Sequence, residues 1–565
     1  MNTDSAILRE IVNYEPVPLK FGTSGRWGLV CDLTQLEVYI NAVAELEYLQ
    51  SLPKSEGGIV RGEDFYFACD LRPSSTGVVN ERGVHGGIAQ AIVQAIADSS
   101  MKPVFLGRIP TPALASYAFS QGKGSMMVTG SHIPFDRNGY KTNSSQGELL
   151  KRDEAPIQAR SERVRAQLCN QPANESPFNE AGMFRDKREL PPEVSEAFEA
   201  YLSRYKDFFA GQTLHGIRML VYQHSAVGRD LLVELLRRFG AKVIPAGRSE
   251  SFVPIDTEAI DAEQLRFIES PAVDAWKKFG PLDSVISTDG DSDRPLILGV
   301  EPVSCADAPC QVQFFGGDLV GMVLAEFLQA DAVVVPVSCN DALERGELKN
   351  VVEPKTRIGS PCVIAGMQKA RARGKKSVCG WEANGGFLLG SSLVRAGRTL
   401  EALPTRDAFL PVLAVQLRAQ AEKIPVSELF DHLPRRFSKA SLLRNFPRAS
   451  SLRILAKFSP RNGEVENVSF DGNTDPTVEK IQEELESFFT AGEFQPHRAF
   501  ELHRWRADLF YQQQGGAFAS SRQRRRIAHL RRGRHGITGR RDRPAGRGRT
   551  GRHFAADGGD GHLNS

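Results

Sequence analysis

A unit of strand, polar loop and helix returns three times along this chain, and few architectures other than layered α/β domains accommodate it. The first copy reads "DFYFACDLRPSS", then a helical pattern through "GIAQAIVQAIADSS", then "KPVFLG". The second is "GIRMLVYQHSAVG", "RDLLVELLRRFG" and "AKVIPAG"; the third is "ADAVVVPVSCNDALE", "GSPCVIAGMQKARARG" and "KSVCGWE". In the second copy Leu231, Leu232, Leu235, Leu236 and Phe239 fall on one helical face, and Gly240 follows as a stop. Short apolar strands alternating with such helices predict βαβ units and mainly parallel sheets. The spacing is too irregular for a solenoid. At 565 residues the chain exceeds one core and suits roughly three to four domains.

The expected division is 1–190, 191–313, 314–430 and a shorter 431–492, followed by a tail, 493–565. Lys151 to Leu190 is charged and contains prolines, so it reads as a surface connection leading into a helix near Pro191. The fold class is multidomain α/β: three related mixed α/β/α domains plus a C-terminal α+β domain. Composition is that of a globular protein, 41% hydrophobic and 25% charged. The net charge of +3 averages an arginine-rich end with a slightly acidic remainder, so it is no nucleic-acid signal. Eight cysteines form no C-x-x-C pair, which points to a reducing cytoplasm. No signal peptide and no run of about 20 apolar residues is present, so a cytosolic protein with no membrane partner is expected.

Four short segments carry chemistry. In "SVISTDGDSDRPLI" an apolar strand delivers Asp289, Asp291 and Asp293 at alternate positions. Carboxylates so close repel unless a cation gathers them, and Mg²⁺ takes oxygen ligands in this way. An EF-hand loop is excluded by Arg294 at its sixth position and Val300 at its twelfth; an acidic turn is the plain alternative. In "VTGSHIPFDRNGYK" a strand ends at Gly130, which permits a sharp turn exposing Ser131, with His132 beside it and Lys141 within loop reach. Ile133 rules out the hydrolase elbow G-x-S-x-G, and in isolation the segment also fits a loop serine beside a surface histidine and a solvated lysine. "GWEANGG" places Glu382 and Asn384 among glycines, as a polar turn or as a holder of sugar hydroxyls. "FGTSGRWG" would let backbone approach a phosphate, with Arg26 in contact.

Taken together and in this order, these segments resemble the phosphohexomutase family in its bacterial phosphomannomutase/phosphoglucomutase branch, over about Phe21 to Gly386. The resemblance implies four domains, the first three of one α/β topology. It implies that Ser131 is the phosphoserine and that its phosphate completes a single Mg²⁺ site with Asp289, Asp291 and Asp293. Lys141 and Arg26 would surround the transferring phosphoryl, Lys141 as a general acid/base with a lowered pKa, and His132 would be the loop histidine. Glu382 and Asn384 would recognise the sugar; Arg294 and Lys355 would help to bind the phosphosugar. The implied reaction moves phosphate between C1 and C6 of a hexose phosphate through hexose 1,6-bisphosphate, which also serves as activator. A phosphosugar phosphatase and an inactive phosphosugar-binding protein are the alternatives. Two departures stand out: Ile133 where many relatives carry Asn, and Ser292 where glycine is common in the metal loop.

The end of the chain departs further. The family's fourth domain closes on an R-P-S-G-x-x-P-E phosphate loop, and this chain instead runs "SSRQRRRIAHLRRGRHGITGRRDRPAGRGRTGRH". Lysine vanishes after Lys480 while arginine and glycine surge. Shifted forward by one nucleotide, codons for "HRWRADLFY" can spell T-D-G-V-R-I-Y-F. Codons for "AFASSRQRRRIAHLRR" can likewise spell H-L-R-P-A-G-N-A-A-E-L-R-I-Y-A. The tail is therefore expected to be out of frame and to pack poorly, rather than to be an arginine-rich nucleic-acid arm. Reading the DNA between the codons for Thr490 and Gln495 checks this: a shifted phase is expected, and an intact phase with codon choices that do not spell the family loop defeats it.

Overall fold

The computed structural model describes residues 6–19, 21–22, 25–77, 87–305, 307–436, 438 and 446–457, with the pieces 468–469, 483 and 499–500. The expectations for most of 431–492 and for the tail lie outside the described residues, as do Thr23 and Ser24 of the first motif.

Three sheets carry one topology. The first has the order β1 (Arg26–Leu29), β5 (Arg137–Asn143), β4 (Ser125–Val128), β2 (Asp64–Cys69), β3 (Lys102–Phe105). The second has β10 (Cys310–Phe314), β9 (Pro295–Pro302), β8 (Ser284–Thr288), β6 (Arg218–His224), β7 (Lys242–Arg248). In each, one strand pairs in parallel with its successors on both sides, and the third strand turns back into an antiparallel fourth. The third sheet follows suit: β11 (Ala332–Val334) is parallel to β12 (Val378–Trp381), which turns into antiparallel β13 (Phe387–Leu389) and then β16 (Leu403–Asp407). Isolated parallel bridges Val333–Val352 and Pro336–Thr356 stand where its second strand would be. A hairpin of β14 (Leu393–Arg395) and β15 (Arg398–Leu400) lies between β13 and β16.

The expected α/β class and three related units are thus seen, but the sheets are mixed rather than mainly parallel. The reason is local: Arg137–Asn143 and Phe387–Leu389 follow their predecessor strands after loops too short for a crossover helix, so those strands must run antiparallel. A second correction concerns Lys151 to Leu190. It holds a helix, Glu154–Cys169, that buries Ile157, Ser161 and Val164 and packs on the helix Gln35–Ser51. Arg165 reaches back to the buried Glu37 at 2.6 Å. A single narrow apolar stripe among charges does not stand out in sequence.

The units share a core. Tyr66 and Met127 of the first sheet, Tyr201 and Tyr205 of the helix Glu196–Phe208, Ile286 and Ile297 of the second sheet and Trp381 and Phe387 of the third belong to one buried cluster. Asp407 at the end of β16 ties them: it accepts from Tyr201 Oη at 2.6 Å, Tyr205 Oη at 2.5 Å and the Phe409 amide at 2.9 Å, the last capping the helix Phe409–Glu422. Asp407→Ala leaves two buried phenols and a helix end unsatisfied and is expected to cost about 3 kcal/mol. Urea unfolding of the variant checks this, and a change under about 1 kcal/mol would contradict it.

Candidate active site

The same connection of the repeated unit, third strand to antiparallel fourth, carries each of the main motifs. The β4–β5 loop holds Ser131, the β8–β9 loop holds the three aspartates, and the β12–β13 loop holds Glu382 and Asn384. The fold brings these ends together. Ser131 Oγ donates to Asp289 Oδ2 at 2.7 Å across 158 residues of chain. Lys141, on β5, donates to Asp291 Oδ2 at 2.6 Å and Asp293 Oδ2 at 2.5 Å. Ser131, Lys141, the three aspartates, Arg294, Glu382 and Asn384 are all buried.

Local backbone shapes the loops. Ser131 sits in the left-handed region at φ 47°, its amide donating to Thr129 Oγ1 at 2.7 Å. Ser292 does so at φ 59°, which explains why glycine suits that place. Here the hydroxyl offers compensation: Ser292 Oγ accepts from the Gly228 amide at 2.9 Å and meets Thr288 Oγ1 at 2.8 Å. Asp289 Oδ1 accepts the amides of Asp293 and Arg294, closing the loop on itself. Thr111, on the helix Thr111–Ser120, donates its hydroxyl to Asp291 Oδ2 at 2.6 Å and its amide to the Asp291 carbonyl at 3.0 Å.

Electrostatics separate the aspartates. Burial, with Asp291 and Asp293 alongside, raises the Asp289 carboxyl well above the usual range. Burial also pushes Asp291 up, but the Lys141 ammonium and the Thr111 hydroxyl outweigh it and hold Asp291 low. Burial works against the charge on Lys141, yet Asp291 and Asp293 outweigh that too, and its pKa is raised. The expected lowered pKa of Lys141 is therefore corrected: its close neighbours are carboxylates, so in this arrangement it is a firm cation. His132, with Nδ1 3.5 Å from Ser131 Oγ, is held neutral by burial and by Arg294 and Arg406.

The carboxylates suit a hard cation. Candidate ligand oxygens of Asp289, Asp291 and Asp293 lie within 4.8 Å of one another. Asp291 Oδ1 and Asp293 Oδ1 are buried and receive no hydrogen bond. A buried anionic oxygen without a donor is costly, and a divalent ion with oxygen preference removes that cost.

Other predicted residues sort differently. Glu382 Oε2 takes the Arg406 guanidinium at 3.1 Å, while Asn384 staples its loop through the Gly386 amide at 3.0 Å and through its own carbonyl to Thr257 at 2.8 Å. Arg294 Nε lies 3.9 Å from Asp289 and 3.7 Å from Asp293. Arg26 is corrected. It stands opposite Tyr140 in the β1–β5 ladder and so shares a face with Tyr140, the face away from Lys141. Its partners there are Glu45 at 2.5 Å, the Leu19 carbonyl and the Phe21 ring. Lys355 is likewise drawn aside, to Asp341 at 3.2 Å and Glu344 at 3.0 Å. Arg406, on β16, was not expected: its Nε and Nη2 bind Asp293 Oδ2 at 3.1 and 2.8 Å, so it joins the metal loop to Glu382. Its signal, "PTRDAF" just before a helix, is indistinguishable in sequence from an ordinary surface turn.

Repeated α/β units that bring a hydroxyl, a carboxylate triad and a basic fringe to one buried point define a protein built to handle a phosphoryl group beside a cation. Comparison with known proteins gives the family. The models for phosphoglucomutase/phosphomannomutase alpha/beta/alpha domain I and domain III match residues 81–167 and 316–437. A phosphomannomutase of Sinorhizobium fredii is 37% identical over 78% of this chain and 85% of its own length. One of Salmonella muenchen is 36% identical over 77% and 80%. A family protein of known structure from Burkholderia thailandensis superposes with a TM-score of 0.53 at 16% identity, covering 82% of this chain and 96% of that one. A putative phosphomannomutase structure from Thermus thermophilus gives 0.52 at 22%, covering 74% and 83%. The chain belongs to the phosphoglucomutase/phosphomannomutase family, the phosphohexomutases.

Arg406→Met strips a buried guanidinium from both Asp293 and Glu382. It is expected to lower stability by about 3 kcal/mol in urea unfolding. A neutral result would mean that the guanidinium is not held as the structure shows.

Proposed function

We propose that this protein is a phosphomannomutase/phosphoglucomutase that works through a phosphorylated Ser131. The observation that carries the reading is the 2.7 Å contact between Ser131 Oγ and Asp289 within a buried triad that has two undonated carboxylate oxygens. Among the described residues no helix is long and apolar enough to cross a membrane.

In the proposed cycle the bond between phosphorus and Ser131 Oγ breaks as phosphorus bonds to the free hydroxyl of a hexose monophosphate. The hydroxyl proton passes to the neutral His132 imidazole, the candidate base, while Lys141 stays a cation, and Ser131 Oγ takes up a proton as it leaves phosphorus. The products are hexose 1,6-bisphosphate and a free serine hydroxyl. After the sugar turns end for end, Ser131 Oγ accepts the other phosphoryl, and the released sugar oxygen gains a proton. Such transfer asks the protein for alignment and charge neutralisation above all. The ammonium of Lys141 and the guanidinium of Arg294 supply positive charge beside the triad. Glu382, oriented by Arg406, and Asn384, on its stapled loop, offer acceptors to the sugar hydroxyls.

Asp289, Asp291 and Asp293, with an oxygen of phosphorylated Ser131, would hold one Mg²⁺, which when bound offsets negative charge on the phosphoryl oxygens. The names of the Sinorhizobium fredii and Salmonella muenchen relatives favour mannose phosphate as the sugar. Arg26 and Lys355, turned to other acids, are left out of this assignment.

The test is conversion of mannose 1-phosphate to mannose 6-phosphate by the purified protein with Mg²⁺, with free phosphate measured in parallel. Conversion without phosphate release is expected; release of free phosphate in step with substrate loss would indicate a phosphatase. Ser131→Ala should lower turnover by about 10⁴-fold or more. In a second measurement Mg²⁺ should raise the melting temperature of the wild type but not of Asp291→Asn; equal shifts would remove the triad from the metal site.

A further inference from the structure

Arg72 spends its guanidinium on the backbone of the Ser131 loop. Nη2 donates to the carbonyls of Ser131 at 3.1 Å and Ile133 at 2.5 Å. Nη1 donates to those of Pro134 at 2.8 Å and Arg137 at 2.9 Å. Asp70, two residues earlier, accepts the Gly130 amide at 3.0 Å and the Arg72 amide at 3.0 Å. The pair therefore grips both sides of the turn that puts Ser131 at φ 47°. Gly130 is glycine for this reason: a Cβ there would meet Arg72 Nε at 2.3 Å.

The other face of the guanidinium is covered from a different unit. Phe252, between β7 and the helix Ala262–Phe279, places its ring centroid 3.8 Å from Arg72 Cζ. The same ring lies 6.4 Å from Phe135 at the tip of the serine loop. It also sits over Gly290 of the aspartate loop, where a Cβ would meet the Ser131 carbonyl at 2.5 Å and the Phe252 ring at 3.4 Å. Serine loop, aspartate loop and Phe252 thus meet around one carbonyl, that of Ser131. Asp70, Arg72, Gly290 and Phe252 take no part in the phosphoryl chemistry described above.

We infer that Arg72, held from above by Phe252, is a positioning residue. Its fork of hydrogen bonds fixes the left-handed turn at Ser131, and the stacked ring makes that turn depend on the seating of the second unit against the first. The kinetic consequence rests on the phosphoserine reading; the geometric one does not. A lysine has one point of donation and cannot span four carbonyls, so charge alone does not replace the arginine. A loop loosened by an ångström misaligns an in-line transfer, while substrate binding, made elsewhere in the site, is largely kept.

Three variants test this in the full chain: Arg72→Lys, Phe252→Ala and Phe252→Tyr. Arg72→Lys is expected to lower kcat by about a hundredfold with KM changed by less than about threefold. Phe252→Ala should lower kcat by about tenfold, and Phe252→Tyr, which restores a ring face, should recover it. Amide hydrogen exchange of residues 129–137 should quicken in Arg72→Lys and Phe252→Ala but not in Phe252→Tyr. If Arg72→Lys does not fold, the two Phe252 variants still decide. Unchanged exchange in Phe252→Ala, a loss appearing in KM alone, or no recovery in Phe252→Tyr overturns the inference. Quickened exchange in a protein whose wild type has no mutase turnover would instead overturn the phosphoserine reading and leave the positioning role standing.

Discussion

Three carboxylates on one buried five-residue stretch are the constraint around which the site is organised. Two such charges at about 4 Å repel by about 4 kcal/mol even at an effective dielectric near 20. They persist in a folded protein because other parts of the chain bring positive charge and donors to them. Lys141 and Ser131 come from the first unit and Arg406 from the third. The aspartate loop is therefore an electrostatic junction between units as well as a candidate ligand set. Losing one partner leaves anions buried without compensation, which is why stability and chemistry are joined at this place.

Topology delivers the partners. One βαβ design used three times means that the connection from third to fourth strand points to equivalent ends of three sheets. Packing the units about a shared core converges those ends. Loops at strand ends then carry Ser131, Asp289 and Glu382, a placement that suits the proposed in-line phosphoryl transfer. The glycines at the junctions serve close approach: at Gly386 a Cβ would lie 2.5 Å from the Arg406 side chain, so that guanidinium could not pass to Asp293.

Much of this was legible in the sequence because the motifs are local. A strand followed by D-G-D-S-D points to a gathered cation, whereas G-S-H taken alone also fits an ordinary loop serine and gains meaning from the other motifs. The pairing of the two loops came from family resemblance and is matched by the distance found. What was not legible depends on register and on long-range contact. Arg26 sits beside the right loop in sequence, yet its place opposite Tyr140 turns it to Glu45, and strand register cannot be read from "FGTSGRWG". Lys355 is captured by Asp341 and Glu344, fourteen and eleven residues before it, so a lone lysine in "EPKTRIG" was a weak signal. Arg406, on β16, and Arg72, in a loop, stand in unremarkable sequence and gain meaning only from groups 113 and about 60 residues away. The resemblance implies a lowered pKa for Lys141; the carboxylates that the fold sets against it reverse that expectation.

The central claim is that the Ser131 hydroxyl carries the phosphoryl group. Intact mass of the purified protein, followed by peptide sequencing after incubation with hexose 1,6-bisphosphate, tests it most directly. The account predicts a single added phosphoryl group located on Ser131. A protein that stays unmodified, or one modified on another residue, would contradict it.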